Sequence, residues 1–141
     1  MSKVSIVYWS GTGNTQKMAE AVAEGVKEAG AEADLKFVSA ATVDELAAEP
    51  AFALGCPSMG AEELEDAEME PFMAELESKI SGKKIALFGS YGWGDGQWMR
   101  DWEERMNAAG ATVVNGEGVI AHEAPDAEAL EACRSLGKAL I

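Results

Sequence analysis

The chain has 141 residues, the length of one compact domain, and 48% of them are hydrophobic, enough for a packed core. Its 11 Lys and Arg against 25 Asp and Glu give a formal charge of −14, which excludes a basic face for nucleic-acid phosphates or for an anionic membrane surface. No apolar run approaches the roughly 20 residues that span a bilayer, and Met1-Ser2-Lys3 leads directly into apolar sequence, so a cytoplasmic protein without a signal peptide is expected.

The run Val4–Trp9 predicts a buried strand. From Thr15 to Ala29, the residues Met18, Ala21, Val22, Gly25, Val26 and Ala29 recur at helical spacing, and Gly30 ends that helix. Ala33, Leu35 and Phe37 alternate with Asp34 and Lys36, which predicts a strand with one wet face at a sheet edge. Thr42 and Glu45 have the spacing of a capping box ahead of a short helix through Leu46. Ala51–Gly55 reads as the third strand. Glu70–Ile80 reads as a helix with Phe72, Met73, Leu76 and Ile80 inward, and Lys84–Gly89 as the fourth strand. Gln97–Ala109 predicts a helix with Trp98, Met99, Trp102 and Met106 on one face, closed by Gly110. Ala111–Val114 and Val119–Ala121 suggest a fifth strand in two pieces, and Asp126 caps a last helix bearing Leu130, Cys133, Leu136 and Leu140. No linker or repeat divides the chain, so residues 1–141 are expected to form a single domain.

Strands alternating with crossover helices specify an α/β fold, a doubly wound five-stranded parallel sheet with helices on both faces. The wet second strand favours the order 2-1-3-4-5. Ligands of such sheets bind beyond the carboxyl ends of the strands near the topological switch, which directs attention to the loops after strands one, three and four.

Ser10-Gly11-Thr12-Gly13-Asn14-Thr15 follows the first strand and offers three hydroxyls, an amide and two glycines at a helix N-terminus, with no Lys or Arg. Backbone amides and the helix dipole make such a place an anion site. The loop is neither a Walker A sequence nor a dinucleotide fingerprint, because Gln16-Lys17 stands where those motifs need Gly. A neutral, hydroxyl-rich loop suits a terminal monophosphate. Cys56-Pro57-Ser58-Met59-Gly60-Ala61-Glu62 leaves the third strand for a stretch, Glu62–Glu70, in which six of nine residues are acidic. Ser90-Tyr91-Gly92-Trp93-Gly94-Asp95-Gly96 leaves the fourth, and two aromatics between glycines in an exposed loop point to a flat ligand that stacks on Trp93.

With those three loops in place, the chain resembles the flavodoxins, of the short-chain kind found in anaerobic bacteria, along its whole length. The resemblance implies FMN as a non-covalent cofactor and one-electron transfer between larger redox proteins. Ser10 to Thr15 would hold the FMN phosphate, with Met59 on one face of the isoalloxazine and Trp93 on the other. Pro57 and Ser58 lead into Met59, and Gly94 and Asp95 complete the stacking loop. Glu62 would accept from flavin N3–H, backbone groups of Ser90 to Gly92 would meet the pyrimidine edge, and the Gly60 carbonyl would turn toward flavin N5 on reduction. At Ala61 relatives more often carry Gly, Asn or Asp. Taken as the centre of a four-residue turn, Met59–Glu62, Gly60 and Ala61 lead to the expectation that Ala61→Gly lowers the upper flavin potential. The acidic chain opposes the anionic hydroquinone, so the implied carrier shuttles between semiquinone and hydroquinone at low potential. It works as a monomer, docking through acids from Glu62 to Glu70, Asp95 and Asp101 on basic patches of larger redox enzymes.

The other reactive residues point elsewhere. Cys56 and Cys133 form no CxxC, and His122 is the single histidine, so a disulfide framework and a Cys/His zinc site are excluded. Cys56 lacks an activating base and reads as structural, and Cys133 as core. His122 reads as a solvated loop residue after the fifth strand. Trp98 and Trp102 are core residues, while Trp9 fits either the core or the cofactor's rim. An FMN-dependent reductase would need a basic nicotinamide site. A phospho-acceptor receiver would need an acidic pocket, and neither is legible in the chain.

Overall fold

A computed structural model describes residues 3–141. Within them the chain runs β1 (Lys3–Tyr8), α1 (Asn14–Glu28), β2 (Glu32–Phe37), α2 (Val43–Ala47), β3 (Ala51–Gly55), α3 (Met69–Leu76), β4 (Lys84–Tyr91), α4 (Gln97–Ala108), β5 (Thr112–Val113), β6 (Val119–His122) and α5 (Ala127–Ala139). All strand pairings are parallel and the order is β2-β1-β3-β4-β5, with β6 also on β4. β5 pairs with Lys84 and Ile85, whereas β6 pairs with Phe88 to Tyr91. The fifth position therefore holds two successive pieces, as the split apolar runs predicted. Between them Val114–Gly116 forms a tight turn in which Asn115 adopts a φ of 63°.

Period-two alternation along each strand divides the core into two layers. Val4, Ile6 and Tyr8 of β1 join Met18, Val22 and Val26 of α1 and Cys133, Leu136 and Leu140 of α5. Val7 points the other way, with Phe52, Leu54 and Leu87, and is covered by Met73 and Leu76 of α3 and by Trp98 and Trp102 of α4. β2 lies at the edge, as its alternation predicted, and its Lys36 bridges Asp34 and Glu45. The capping box forms at α2, where Thr42 Oγ1 accepts from Glu45 N–H at 3.2 Å and Glu45 Oε1 from Thr42 N–H at 3.2 Å. Asp126 caps α5, accepting from Ala129 N–H at 2.8 Å. α1 and α5 cross almost backbone to backbone. A Cβ on Gly25 would stand 1.9 Å from the Arg134 carbonyl oxygen, and one on Gly137 2.1 Å from that of Val22.

Most boundaries fall within a residue of the sequence expectation, and three differences have a physical cause. α3 gives way to a 3-10 turn over Glu77–Lys79 before Ile80, where the Ser78 hydroxyl donates to the Glu75 carbonyl and competes with the helical ladder. β4 extends through Ser90 and Tyr91, because β6 supplies them with the partners Ala121 and His122. His122 is accordingly the last strand residue, not part of the loop beyond, and its exposed ring lies edge-on to Tyr91 at 5.2 Å. Among the described residues no helix is long and apolar enough to cross a membrane.

Candidate functional site

Parallel strands bring their carboxyl ends to one side of the sheet, and the ends of β1, β3, β4 and β6 border a cleft of about 330 Å³. Its walls are Trp9, Ser10, Gly11, Thr12, Asn14 and Thr15 after β1, Pro57, Ser58 and Met59 after β3, Ser90, Tyr91 and Gly92 at the end of β4, and Glu123 after β6. Thus eleven of the predicted site residues meet in one place.

The first loop is folded by Ser10, whose Oγ accepts from the amides of Gly13 at 3.1 Å and Gln16 at 3.3 Å. Gly13 sits at the helix N-cap with a φ of 96° and offers no side-chain cap. Among the described residues the amides of Gly11, Thr12, Asn14 and Thr15 have no protein acceptor. Free amides at the positive end of α1, flanked by neutral hydroxyls, are the chemistry that holds a phosphate.

Thr15 is buried, and its Oγ1 accepts from Ser90 N–H at 3.3 Å. Ser90 is a node for the whole floor. Its carbonyl accepts from Ser58 N–H at 3.0 Å, and its hydroxyl donates to the Glu123 carbonyl at 2.7 Å. Glu123 escaped the sequence reading because it looked like one more exposed acid. Only the β4–β6 register brings it here, with a φ of 57° and its amide on the Tyr91 carbonyl at 2.8 Å. Trp9 resolves as half-buried, lining the cleft and packed against Phe37.

After β3 the chain turns back on itself between Met59 and Glu63, whose backbones exchange hydrogen bonds of 2.8 and 2.9 Å. This corrects the four-residue turn expected over Met59–Glu62. The turn is one residue longer, and its left-handed positions are Gly60, with a φ of 52°, and Glu62, with a φ of 57°. Ala61 avoids the left-handed region, so the strain argument for Ala61→Gly falls away in this conformer. The other rim is the Gly92–Gly96 loop. Trp93 stands there 64% exposed, opposite in kind to the buried Trp98 and Trp102, and Met59 is 37% exposed. Gly13, Gly60, Ala61, Glu62, Trp93, Gly94 and Asp95 do not wall the cleft itself, Gly13 being the N-cap of α1.

The acidic run is only partly solvated. Glu65 is buried and accepts from the amides of Ala67, Glu68 and Met69 at 2.8 to 2.9 Å, closing the N-terminus of α3. Glu70 holds Arg105 through two oxygens at 2.8 and 2.6 Å, and Glu77 takes the same guanidinium. Glu62 Oε1 accepts from the Gln97 amide at 3.2 Å. Cys56 is fully buried beneath the cleft, where burial pushes its thiol up to about 12, and Trp98 Nε1 donates to its carbonyl at 3.1 Å.

A family model described as Flavodoxin matches residues 6–137. The chain is 53% identical over 135 residues to a flavodoxin from Clostridium beijerinckii and 49% identical over 136 residues to one from Megasphaera elsdenii, covering 96% of each relative and of itself. The chain belongs to the flavodoxin family. Among solved structures, it superposes on two-electron reduced Megasphaera elsdenii flavodoxin with a TM-score of 0.85 at 48% identity, covering 97% of both chains. An archaeal flavodoxin gives a TM-score of 0.88 at 31% identity over 98% of this chain and 95% of that one. Flavodoxins bind FMN and transfer electrons, and the residues of this flavodoxin fit that cofactor. Amides without a protein acceptor and neutral hydroxyls stand at the N-terminus of α1, the hydroxyl of the cleft residue Ser58 is buried without a partner among the described residues, and two large apolar side chains, Met59 and Trp93, stand exposed at the rim.

Proposed function

We propose that this flavodoxin is a low-potential one-electron carrier, not itself an enzyme, which docks on larger redox proteins through its acidic rim. The observation that carries the reading is the uncommitted amide loop at the N-terminus of α1, next to the exposed pair Met59 and Trp93. In this reading Ser10, Gly11, Thr12, Gly13, Asn14 and Thr15 hold the phosphate. Met59 and Trp93 cover the ring and exclude water, and Pro57 and Ser58 floor it. Backbone groups of Ser90, Tyr91 and Gly92 meet its polar edge, with Gly94 and Asp95 completing that loop. Glu62 accepts from its N–H, and the Gly60 peptide faces its central nitrogen beside Ala61.

FMN supplies the redox chemistry when bound, taking up electrons one at a time. The protein decides how readily. No residue lining the cleft is Lys or Arg, and Glu123 adds an acid, so both desolvation and like charge oppose a negative flavin. Each 1.4 kcal/mol of that opposition lowers a one-electron potential by about 59 mV. Exposed Glu63, Asp66, Asp95 and Asp101 offer the charge that a basic patch would recognise. A titration of the FMN-loaded protein tests the reading: two resolved one-electron steps are expected, the second well below that of free FMN. A single two-electron step near the free-flavin potential would refute it.

A further inference from the structure

We infer that Glu103 of α4, which walls no part of the cleft, is a positioning residue for it. Its carboxylate fixes where β6 starts along β4, and thereby where Ser90, Tyr91 and Glu123 stand. The inference rests on the proposed function for the ring edge that these residues meet. The placement of β6 stands without it.

β6 needs an anchor. Among the described residues it pairs with β4 alone, over four residues. Register is strongly specified where a strand buries one face, yet in β6 only Ala121 is buried. Nor can β6 inherit its register from β5. That strand ends at Val113, and the tight turn with Asn115 in the left-handed region, followed by Glu117 and Gly118, separates the two pieces.

Glu103 supplies the anchor. It is the one acid among the buried residues of α4, alongside Trp98, Met99, Trp102 and Met106. A buried acid is costly unless its oxygens are bonded. Here Oε2 accepts from the N–H of Gly118, the residue immediately before β6, at 2.6 Å. Arg100, one turn back on the helix, holds the same oxygen through Nη2 at 3.1 Å. Bonds to an ionised acceptor are about twice as strong as neutral ones. Gly118 is also confined sterically. A Cβ there would stand 2.4 Å from Met99 Sδ and 3.1 Å from the Leu87 carbonyl oxygen, so the chain enters β6 pressed between α4 and β4.

What is fixed at Gly118 is read out at the cleft. Val119 pairs with Phe88, and three residues on, His122 pairs with Tyr91. The next amide, of Glu123, donates to the Tyr91 carbonyl at 2.8 Å, and the Glu123 carbonyl accepts from the Ser90 hydroxyl at 2.7 Å. Ser90, Tyr91 and Glu123 all wall the cleft. With one end of the strand on Glu103 and the other on the Ser90 node, a shift at the first end displaces the second.

The experiment compares the wild type with Glu103→Ala, Glu103→Asp and Glu103→Gln. Amide hydrogen exchange is followed by NMR in ligand-free protein at Gly118, at Glu123 and at Ile6, whose change reports global stability. FMN affinity is read from quenching of flavin fluorescence. In Glu103→Ala, Gly118 is expected to exchange about tenfold faster, the loss of one charge-assisted bond. Glu123 is expected to gain about fivefold beyond any change at Ile6, and FMN to bind about fivefold more weakly. Glu103→Asp, one methylene too short to reach Gly118, is expected to behave as Glu103→Ala does, and it decides the matter where Glu103→Ala does not fold. Glu103→Gln keeps an accepting oxygen and is expected to stay within about twofold of the wild type in every reading. If Glu123 gains no more than Ile6, Glu103 only stabilises the fold and the inference is overturned. Wild-type FMN affinity in both Glu103→Ala and Glu103→Asp overturns it too, as does a Glu103→Gln protein that behaves like Glu103→Ala. All three results leave the proposed function intact. A wild type that binds no FMN overturns the proposed function, while the exchange at Gly118 and Glu123 still decides the anchor.

Discussion

Two threonines in the first loop answer different questions. Thr15 is 1% exposed and its hydroxyl accepts from Ser90 N–H at 3.3 Å, whereas Thr12 is exposed. Thr15→Val keeps the shape and removes the acceptor, leaving a buried N–H without a partner. That loss costs about 1–3 kcal/mol, and a bond at the long end of the N–H···O range belongs in the lower half, about 1–2 kcal/mol. At this chain length each kcal/mol is worth roughly 4 °C in Tm, so ligand-free Thr15→Val is expected to melt about 4–8 °C below the wild type. Thr12→Ala is expected to melt within about 2 °C of it, as exposed substitutions stay within about 0.5 kcal/mol. Both hydroxyls can donate to the FMN phosphate. Each variant is therefore expected to bind FMN about 10- to 100-fold more weakly, from the 1.5–3 kcal/mol of a charge-assisted bond, and to bind riboflavin almost as the wild type does. Calorimetry of the ligand-free proteins and fluorescence titration with both flavins give the numbers. A Thr15→Val protein with wild-type Tm would refute the reasoning about the floor, and equal affinity for riboflavin and FMN in the wild type would refute the phosphate loop.

Trp93→Ala is expected to leave the Tm of ligand-free protein nearly unchanged, because the ring is 64% exposed, while weakening FMN and raising the lower flavin potential as water reaches the ring. A potentiometric titration that finds the potential unmoved takes Trp93 off the ring. Electron transfer to a basic partner should slow steeply with added salt, since exposed charges are screened over about 8 Å at physiological ionic strength. Stopped-flow rates that ignore salt would remove the acidic rim from docking. Burial raises the Glu65 carboxyl, but the amides of Met69, Glu68 and Ala67 outweigh it and hold its pKa below the ordinary 4.5. Its stabilisation is thus fully present above pH 4.5 and fades as pH falls through the lowered value. Urea melts of Glu65→Ala are expected to show a deficit of about 1–2 kcal/mol at pH 7, typical of a lost helix cap, narrowing toward pH 3. Cys56 and Cys133 are buried thiols pushed up to about 12, so both should resist alkylation at neutral pH until the chain unfolds, as mass spectrometry would count.

The sheet was legible because β1, β3 and β4 are built on largely apolar runs that only a doubly covered strand can bury, and the alternation in β2 marked the edge. The first loop was legible too, since its hydroxyls and glycines act locally. What escaped depended on partners far along the chain. Ser90 and Tyr91 looked like loop because nothing near them announces β6, whose register turns them into strand. Glu62, Glu65 and Glu70 looked like one solvated run, yet each has its own employment, on Gln97, on α3 and on Arg105. Charge density in a sequence shows where acids are, and not which donors fold back to meet them. The turn after Met59 was misjudged by one residue for a related reason. Its length is set by the Met59–Glu63 backbone pair, and no side-chain pattern reports that pairing.

The Ser90 node has a consequence for how a ligand comes and goes. One residue ties together the end of β4, the first turn of α1, the chain leaving β3 and the chain leaving β6. No single strand end can swing aside without breaking bonds to the others, so the end of the cleft at the N-terminus of α1 behaves as a fixed socket. The opposite end is bordered by a three-glycine loop and a free-standing tryptophan. In the proposed reading, release of FMN is then a peeling event, in which the ring lifts first and swings on a phosphate that is still seated. Most such liftings end in re-closure, because the tethered ring is held at high effective concentration over its own site. In that reading the lifetime of the complex is governed by the socket, even where Met59 and Trp93 dominate the colour and the potential.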